Sequence, residues 1–238
     1  KNTKITKKSI VRISSEVSSL KTNLPNNWDT SVIFRTSSNN INLITFIITG
    51  PKDTPYHNGI FEFHMRFPGN YPNSNPLVNL MTTGNGTVRF NPNLYNSGKV
   101  CLSLLGTWSG SEGESWNPSI STSLQVLISI QSLIFCEEPY FNEPGYEREI
   151  GTLRGNANNE EYNQNIRQAT ATWAIKDMIE NPPKGFEEII EHHFNLKKDN
   201  IKVMLKNWES KANKNKYKRL NIIKSIKPYI TDENKVVK

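Results

Sequence analysis

Between Phe61 and Phe67 the apolar side chains Phe61, Phe63, Met65 and Phe67 alternate one for one with Glu62, His64 and Arg66. A period of two fits a strand with one buried and one polar face, because successive residues of a strand point to opposite sides of the sheet. Such a strand commits the chain to an antiparallel sheet with an apolar layer on its buried face. Neighbouring segments supply the rest of the sheet. Stretches at about 30–35 and 41–49, the second rich in Ile, Thr and Phe and closed by Gly50-Pro51, read as two preceding strands. A fourth short strand is predicted near 77–82, between the rigid run from Pro68 through Tyr71-Pro72 to Pro76 and the Gly/Asn turn at 84–86.

Ile10, Ile13, Val17 and Leu20 recur at helical spacing ahead of Pro25 and predict an N-terminal amphipathic helix. Over 120–135, Leu124, Leu127, Ile128, Ile134 and Phe135 form one apolar face, while Val126, Ile130 and Leu133 fill the other. This segment is expected to be the central helix, buried all round. Three further helices are marked by Tyr162, Ile166, Ala169 and Trp173, by Phe186, Ile189, Ile190 and Phe194, and by Ile201, Met204, Leu205 and Trp208, with Pro182-Pro183 between the first two. From about 211 to 238 lysines alternate with isoleucines without good caps, which reads as a marginal helix or a disordered stretch. Strands segregated from helices indicate an α+β domain: a four-stranded antiparallel meander sheet with an N-terminal helix, a central helix and C-terminal helices. A chain of 238 residues accommodates one such domain, placed at 1–178, and a helical, basic C-terminal extension, 179–238.

Composition removes several classes of function. Apolar residues make up 35% of the chain and come in short runs, so no transmembrane span is expected, and no apolar stretch follows the basic first residues as a secretory signal would require. Because Lys1 is not a methionine, the chain reads as a piece of something longer. Two cysteines, Cys101 and Cys136, are too few for a disulfide framework or a cysteine zinc site, and a reducing, cytoplasmic setting fits them. His57 and His64 lie far from the adjacent pair His192 and His193, which diverge on a helix, so neither metal nor cofactor is expected. The net charge of +7 concentrates at Lys1–Lys8 and Lys211–Arg219, with no RNA-binding or zinc-finger pattern, and so reads as solvated basic flanks instead of a nucleic-acid groove.

Chemistry is expected between Phe90 and Asn117, a long, polar, non-periodic region of the kind that carries function. Its one apolar knot surrounds Cys101. Cys136, beside Ile134 and Phe135, reads as a small buried hydrophobe, whereas Cys101 sits where a thiol can be reached. A cysteine protease would need a base and an orienting group, and no histidine lies near Cys101 in sequence.

The run Phe90-Asn91-Pro92-Asn93-Leu94-Tyr95-Asn96-Ser97-Gly98-Lys99-Val100-Cys101-Leu102 resembles the active-site loop of ubiquitin-conjugating enzymes. The likeness extends upstream through Gly50-Pro51, Thr54-Pro55-Tyr56, Gly59, Phe67-Pro68 and Tyr71-Pro72, downstream through Trp116 and Pro118, and covers about 7–178. Asn142-Glu143-Pro144-Gly145-Tyr146 and Asn165-Ile166-Arg167-Gln168-Ala169 look like the BRUCE (Apollon) branch of that family. The resemblance implies that Cys101 carries ubiquitin as a thioester, received from an activating enzyme and passed to lysines of protein substrates, with or without a separate ligase. It makes Asn93 the donor that stabilises the tetrahedral oxyanion, and places Glu143, with Asn142 beside it, where the family has an Asp that orients the incoming amine. A thioester suits this task, because the thiolate is a good nucleophile and its acyl adduct stays reactive toward amines.

Three departures from the family pattern bear on detail. The usual His-Pro-Asn is Asn91-Pro92-Asn93, the usual Asp two residues after the cysteine is Ser103, and Asn73 follows Tyr71-Pro72 where many members present a Phe to ligases. Between Gly106 and Trp116 the chain carries an insertion, Thr107 to Ser115, in which Trp108 is the residue expected to pack. The competing function is a catalytically silent scaffold of the same fold that binds ubiquitin or partner proteins.

Overall fold

The computed structural model describes residues 5–109 and 113–214. The chain opens with helix α1 (Lys7–Asn23), then four strands, β1 (Val32–Thr36), β2 (Leu43–Thr49), β3 (Ile60–Arg66) and β4 (Leu77–Leu80). These form one antiparallel meander in the order β1-β2-β3-β4, as the alternating pattern predicts. Register follows from that pattern: Phe46 on β2 lies opposite Phe63 on β3, their rings stacked with centroids 5.0 Å apart. Ile44, Phe46, Ile48, Phe61, Phe63 and Met65 thereby share one buried face of the sheet.

On that face lie α1 and helix α2 (Ser123–Ser129), which runs on as π-helix through Ile134. Thr122 and Gln125 close a capping box at the start of α2. The expectation of burial all round is corrected here: Val126, Leu127, Ile130 and Ile134 meet the sheet, while Gln125, Ser132 and Leu133, the last 61% exposed, face outward. With the sheet on one side only, the outer apolar residues of the helix have nothing to bury against. In α1 the buried face is Ser9, Ile13, Glu16 and Leu20, and Ile10 lies outside it. Glu16, buried in an apolar setting, is satisfied fully: Arg12 Nε at 2.6 Å, the Tyr71 hydroxyl at 2.5 Å and the backbone N–H of Ser123 at 2.7 Å all donate to it. This carboxylate therefore ties α1 and the Tyr71 loop to the start of α2, where an anion complements the helix dipole.

After the 3-10 turns Pro139–Asn142 and Tyr146–Glu149 comes α3 (Leu153–Ala169), continued by a π-helical stretch to Lys176 and by the short α4 (Asp177–Glu180). Pro182-Pro183 stops it, and α5 (Glu187–Lys214) follows. The two helices expected on either side of Asn195–Asn200 are thus one, since that segment contains no Gly or Pro to interrupt it. Residues 215–238, the bulk of the expected marginal helix, lie outside the described residues. Helix α5 covers the second face of the sheet: Ile190, Phe194, Ile201, Leu205 and Trp208, with Phe186 just before the helix, join Ile47 of β2, Ile60 of β3 and Ala171, Ile175 and Met178 in a second core. Residues 47–49 are buried continuously because both faces of the sheet are covered there.

Two polar groups on α5, one half-buried and one buried, meet carbonyls. His193 Nε2 lies 3.0 Å from the Asn58 carbonyl oxygen, and Lys197, 6% exposed, donates to the Trp28 carbonyl while its ammonium stands 4.2 Å above the Trp28 ring.

Candidate active site

Past β4 the chain turns through Gly84–Gly86 and returns along the sheet edge. Leu80 N–H donates to the Gly98 carbonyl at 2.8 Å, and bridges join Asn79 to Lys99, Leu94 to Val100 and Asn91 to Leu94. Gly98 is required there: its φ is 87°, and a Cβ would stand 2.6 Å from the Asn79 side chain and the Leu80 carbonyl oxygen. This docking along β4 delivers Cys101 to a fixed place beside Asn93. Cys101 N–H donates to the Asn93 carbonyl at 2.8 Å, and Asn93 Nδ2 donates to the Cys101 carbonyl at 2.9 Å.

The expectation of an openly reachable thiol is corrected here: Cys101 is only 2% exposed, because the turn carrying Asn93 and the Thr107 base of the insertion are both hydrogen-bonded to its segment. Burial pushes its thiol pKa up, and the charges of Lys99 and Arg89 work against that rise. A thiol kept protonated at neutral pH resists adventitious oxidation, and cations nearby favour the thiolate when a reaction calls for it.

Asn91 stands where a histidine is usual, and the structure shows what it does. It is fully buried; its Nδ2 donates to the Ile134 carbonyl at 2.8 Å and to the Tyr56 hydroxyl at 3.2 Å, while its Oδ1 accepts from Asn93 N–H at 2.8 Å and Asn142 Nδ2 at 3.3 Å. Tyr56, itself buried, donates its hydroxyl hydrogen bond to the Phe90 carbonyl at 2.8 Å. One amide thus joins the end of α2, the loop after it and the turn that carries Asn93. Asn142 Nδ2 also donates to the Leu133 carbonyl, at 3.2 Å.

Glu143 reaches this region through a cation. Its carboxylate lies 3.1 Å from the Arg89 guanidinium, both side chains being about two-fifths exposed, and Arg89 donates to the Pro92 carbonyl at 2.6 Å and lies over the Tyr95 ring at 4.4 Å. Cys101, Asn93 and Glu143 therefore belong to one hydrogen-bonded neighbourhood, in which Arg89 and Asn142 are the links. Sequence reasoning passed over Arg89, although a lone cation directly before Phe90-Asn91-Pro92 was a usable signal. Cys136 departs from the expected buried hydrophobe: it is half-buried, and its Sγ contacts Asn142 Oδ1 at 3.8 Å.

The insertion is stitched to the Cys101 segment at its base. Thr107 Oγ1 donates to the Val100 carbonyl at 2.7 Å and accepts from Leu102 N–H at 3.0 Å, and Ser103 Oγ contacts Glu114 at 3.3 Å. Trp108 is half-buried. Trp116, at the far end, donates to the Pro72 carbonyl at 2.7 Å and packs against Tyr71.

Similarity to known proteins agrees with this architecture. A family model described as ubiquitin-conjugating enzyme matches residues 12–170. The probable ubiquitin-conjugating enzyme E2 R521 of Acanthamoeba polyphaga mimivirus is 51% identical over 91% of the chain, and the human dual E2 ubiquitin-conjugating enzyme/E3 ubiquitin-protein ligase BIRC6 is 53% identical over 83%. A Caenorhabditis elegans relative, probable ubiquitin-conjugating enzyme protein 17, is 48% identical over 83%. The matched region is 15% of the length of the mimiviral relative, 4% of the human one and 27% of the nematode one, so the chain corresponds to a small part of each. A four-stranded meander backed by α1 and α2, a cysteine paired with an asparagine on its edge, and a family match over most of the chain lead to one assignment: the chain belongs to the ubiquitin-conjugating enzyme family, close to its BRUCE branch.

Proposed function

We propose that this chain accepts ubiquitin from the activating enzyme as a thioester on Cys101 and transfers it to lysine amines of protein substrates. The observation that carries this is the reciprocal pairing of Cys101 with Asn93, which fixes an amide donor beside the nucleophile's own backbone. In the first step the Cys101 thiolate attacks the thioester carbonyl of ubiquitin on the activating enzyme, and that enzyme's thiolate leaves. In the second a lysine amine attacks the new thioester, Cys101 leaves as thiolate, and the amine loses its proton as the amide forms. Asn93 Nδ2, released from the Cys101 carbonyl by a side-chain rotation, stabilises the tetrahedral oxyanion, a contribution of about 3 kcal/mol in comparable sites. Lysine is mostly protonated at neutral pH, and Glu143, held by Arg89, receives and orients it as it loses its hydration.

Residues 1–178 form the conjugating domain and 179–238 the extension, whose helical part braces the second face of the sheet. No helix among the described residues is long and apolar enough to cross a membrane, and two unpaired cysteines suit a cytoplasmic, reducing setting. The human relative's name joins conjugating and ligase functions, which supports a transfer by this chain that needs no separate ligase.

The test mixes the protein with ubiquitin, activating enzyme and ATP and looks for an adduct that reductant removes. Its presence on the natural chain and absence from Cys101→Ala establishes the thioester. Absence from both leaves the scaffold that binds ubiquitin without carrying it.

A further inference from the structure

The two edges of the sheet are treated differently. At β4 the outer edge is taken by the returning chain, with Leu80 N–H donating to the Gly98 carbonyl at 2.8 Å. At the other edge β1 has β2 as its only strand neighbour. The β1–β2 ladder is bracketed by Thr49 N–H donating to the Ser31 carbonyl at 2.9 Å and Ser37 N–H donating to the Leu43 carbonyl at 3.1 Å. Hydrogen-bonded positions alternate in an antiparallel pair, so Ile33 and Arg35 face β2 as Ser31 and Ser37 do. Val32, Phe34 and Thr36 therefore turn their backbone groups outward. Val32 N–H is used, donating to the Pro25 carbonyl at 2.9 Å. Among the described residues, no hydrogen bond reaches the Phe34 N–H, the Phe34 carbonyl or the Thr36 N–H.

This edge borders a groove of about 480 Å³ between β1 and the C-terminal half of α1. Val17, Leu24 and Phe34 give it an apolar floor, each only partly buried against the core. Two charged residues line it, Lys21 and Arg35, and both are positive. An open strand edge, an apolar floor and unbalanced positive charge match the needs of strand addition, in which main-chain hydrogen bonds supply affinity and alternate side chains supply specificity.

We propose that the β1 edge docks an extended acidic segment of a partner protein, one in which apolar side chains alternate with Asp or Glu. The segment pairs with Phe34 and Thr36 as a fifth strand, lays its apolar side chains over Val17, Leu24 and Phe34, and sets its carboxylates against the charge of Lys21 and Arg35. A second copy of the chain would bring the same two cations to the edge, and residues 215–238 are lysine-rich, so like charge opposes both. β1 and β4 stand three strand spacings apart, about 14 Å, so a docked segment leaves the approach to Cys101 open.

The test titrates an acetylated peptide amide, Glu-Val-Asp-Ile-Glu-Val-Asp, into the isotope-labelled intact chain and follows amide hydrogen exchange by NMR. Saturable binding is expected, with exchange slowed at the Phe34 and Thr36 amides and unchanged at Ile33 and Arg35, which already face β2. Thr36→Pro removes an outward N–H without removing a bond of the β1–β2 ladder and should weaken binding about tenfold. Lys21→Glu, a change on the exposed surface of α1, should weaken it about threefold and favour the counterpart peptide that carries Lys in place of Asp and Glu. Absence of saturable binding, binding without protection of Phe34 and Thr36, or binding unchanged in either variant overturns the proposal. So does protection of those two amides in the free chain: protection that grows with protein concentration makes a second copy the occupant, and protection independent of concentration makes it the chain's own last residues.

Discussion

Asn93 and Cys101 hold each other by two opposed hydrogen bonds, 2.8 Å from the Cys101 N–H to the Asn93 carbonyl and 2.9 Å from Asn93 Nδ2 to the Cys101 carbonyl. The side-chain donor is thus parked on the residue whose chemistry it is proposed to serve. Asn93→Ala is expected to slow discharge of a preformed ubiquitin thioester onto free lysine by about a hundredfold, in line with loss of one oxyanion donor. Charging by the activating enzyme should fall much less. Single-turnover discharge measured against charging separates the two, and an equal loss in both would mean that Asn93 only builds the loop.

Burial raises the Cys101 thiol above its ordinary pKa, with Lys99 and Arg89 opposing. The thiolate fraction therefore keeps rising with pH beyond the range where a free cysteine has levelled off. Alkylation of Cys101 by iodoacetamide is expected to climb through that range. Lys99→Glu, which reverses the larger of the two opposing charges, should move the profile to higher pH; a profile unmoved by this change would remove the electrostatic account.

Arg89 makes three contacts around the active-site turn, whereas Glu143 makes one half-exposed ion pair with it. Such a pair contributes about 0–1 kcal/mol to stability, so Glu143→Ala should leave the urea midpoint nearly unchanged while slowing lysine discharge several-fold. Arg89→Ala should cost about 1–2 kcal/mol, since it also strips the Pro92 carbonyl of its charged donor. The two urea curves decide whether the arginine organises the turn.

Asn91 fills all four of its hydrogen-bonding positions inside the protein. Asn91→Ala leaves the Ile134 carbonyl and the Asn93 N–H unpaired and is expected to destabilise the domain by about 2–4 kcal/mol, measured by chemical denaturation.

His193 stays neutral to a pH of about 4 because burial disfavours its charged form and Lys197 repels a proton, although its bond to the Asn58 carbonyl works the other way. Its folded pKa lies below the ordinary 6.5, so the unfolded chain binds the extra proton first. The stability this supplies is complete above about pH 6.5 and is lost as pH falls toward 4. By pH 5 the loss should be about 2 kcal/mol, an upper figure, and His193→Gln should flatten that part of the curve.

The strands and the candidate thiol were legible because their signals are local. Alternation at Phe61–Phe67 fixes which side chains share a face, and a polar loop surrounding one cysteine marks the candidate thiol, although not that folding buries it. Glu16 shows the limit of such signals. It sits on the apolar face of α1, and nothing within that helix says that Tyr71 and Ser123 will converge on its carboxylate from 55 and 107 residues away.

Local pattern by itself therefore determined the order of elements, the meander, Cys101 as the candidate thiol and, through motif resemblance, Asn93 and Glu143. Only the tertiary structure decided that one face of α2 stays open, that α5 is a single helix laid over the second face of the sheet, and that Arg89, Asn91 and Asn142 join the three predicted residues into one network. The physical reason is range. Hydrophobic period and turn chemistry are set by neighbours a few residues apart, whereas burial, the satisfaction of a buried amide and the shift of a thiol depend on groups that only folding brings into contact.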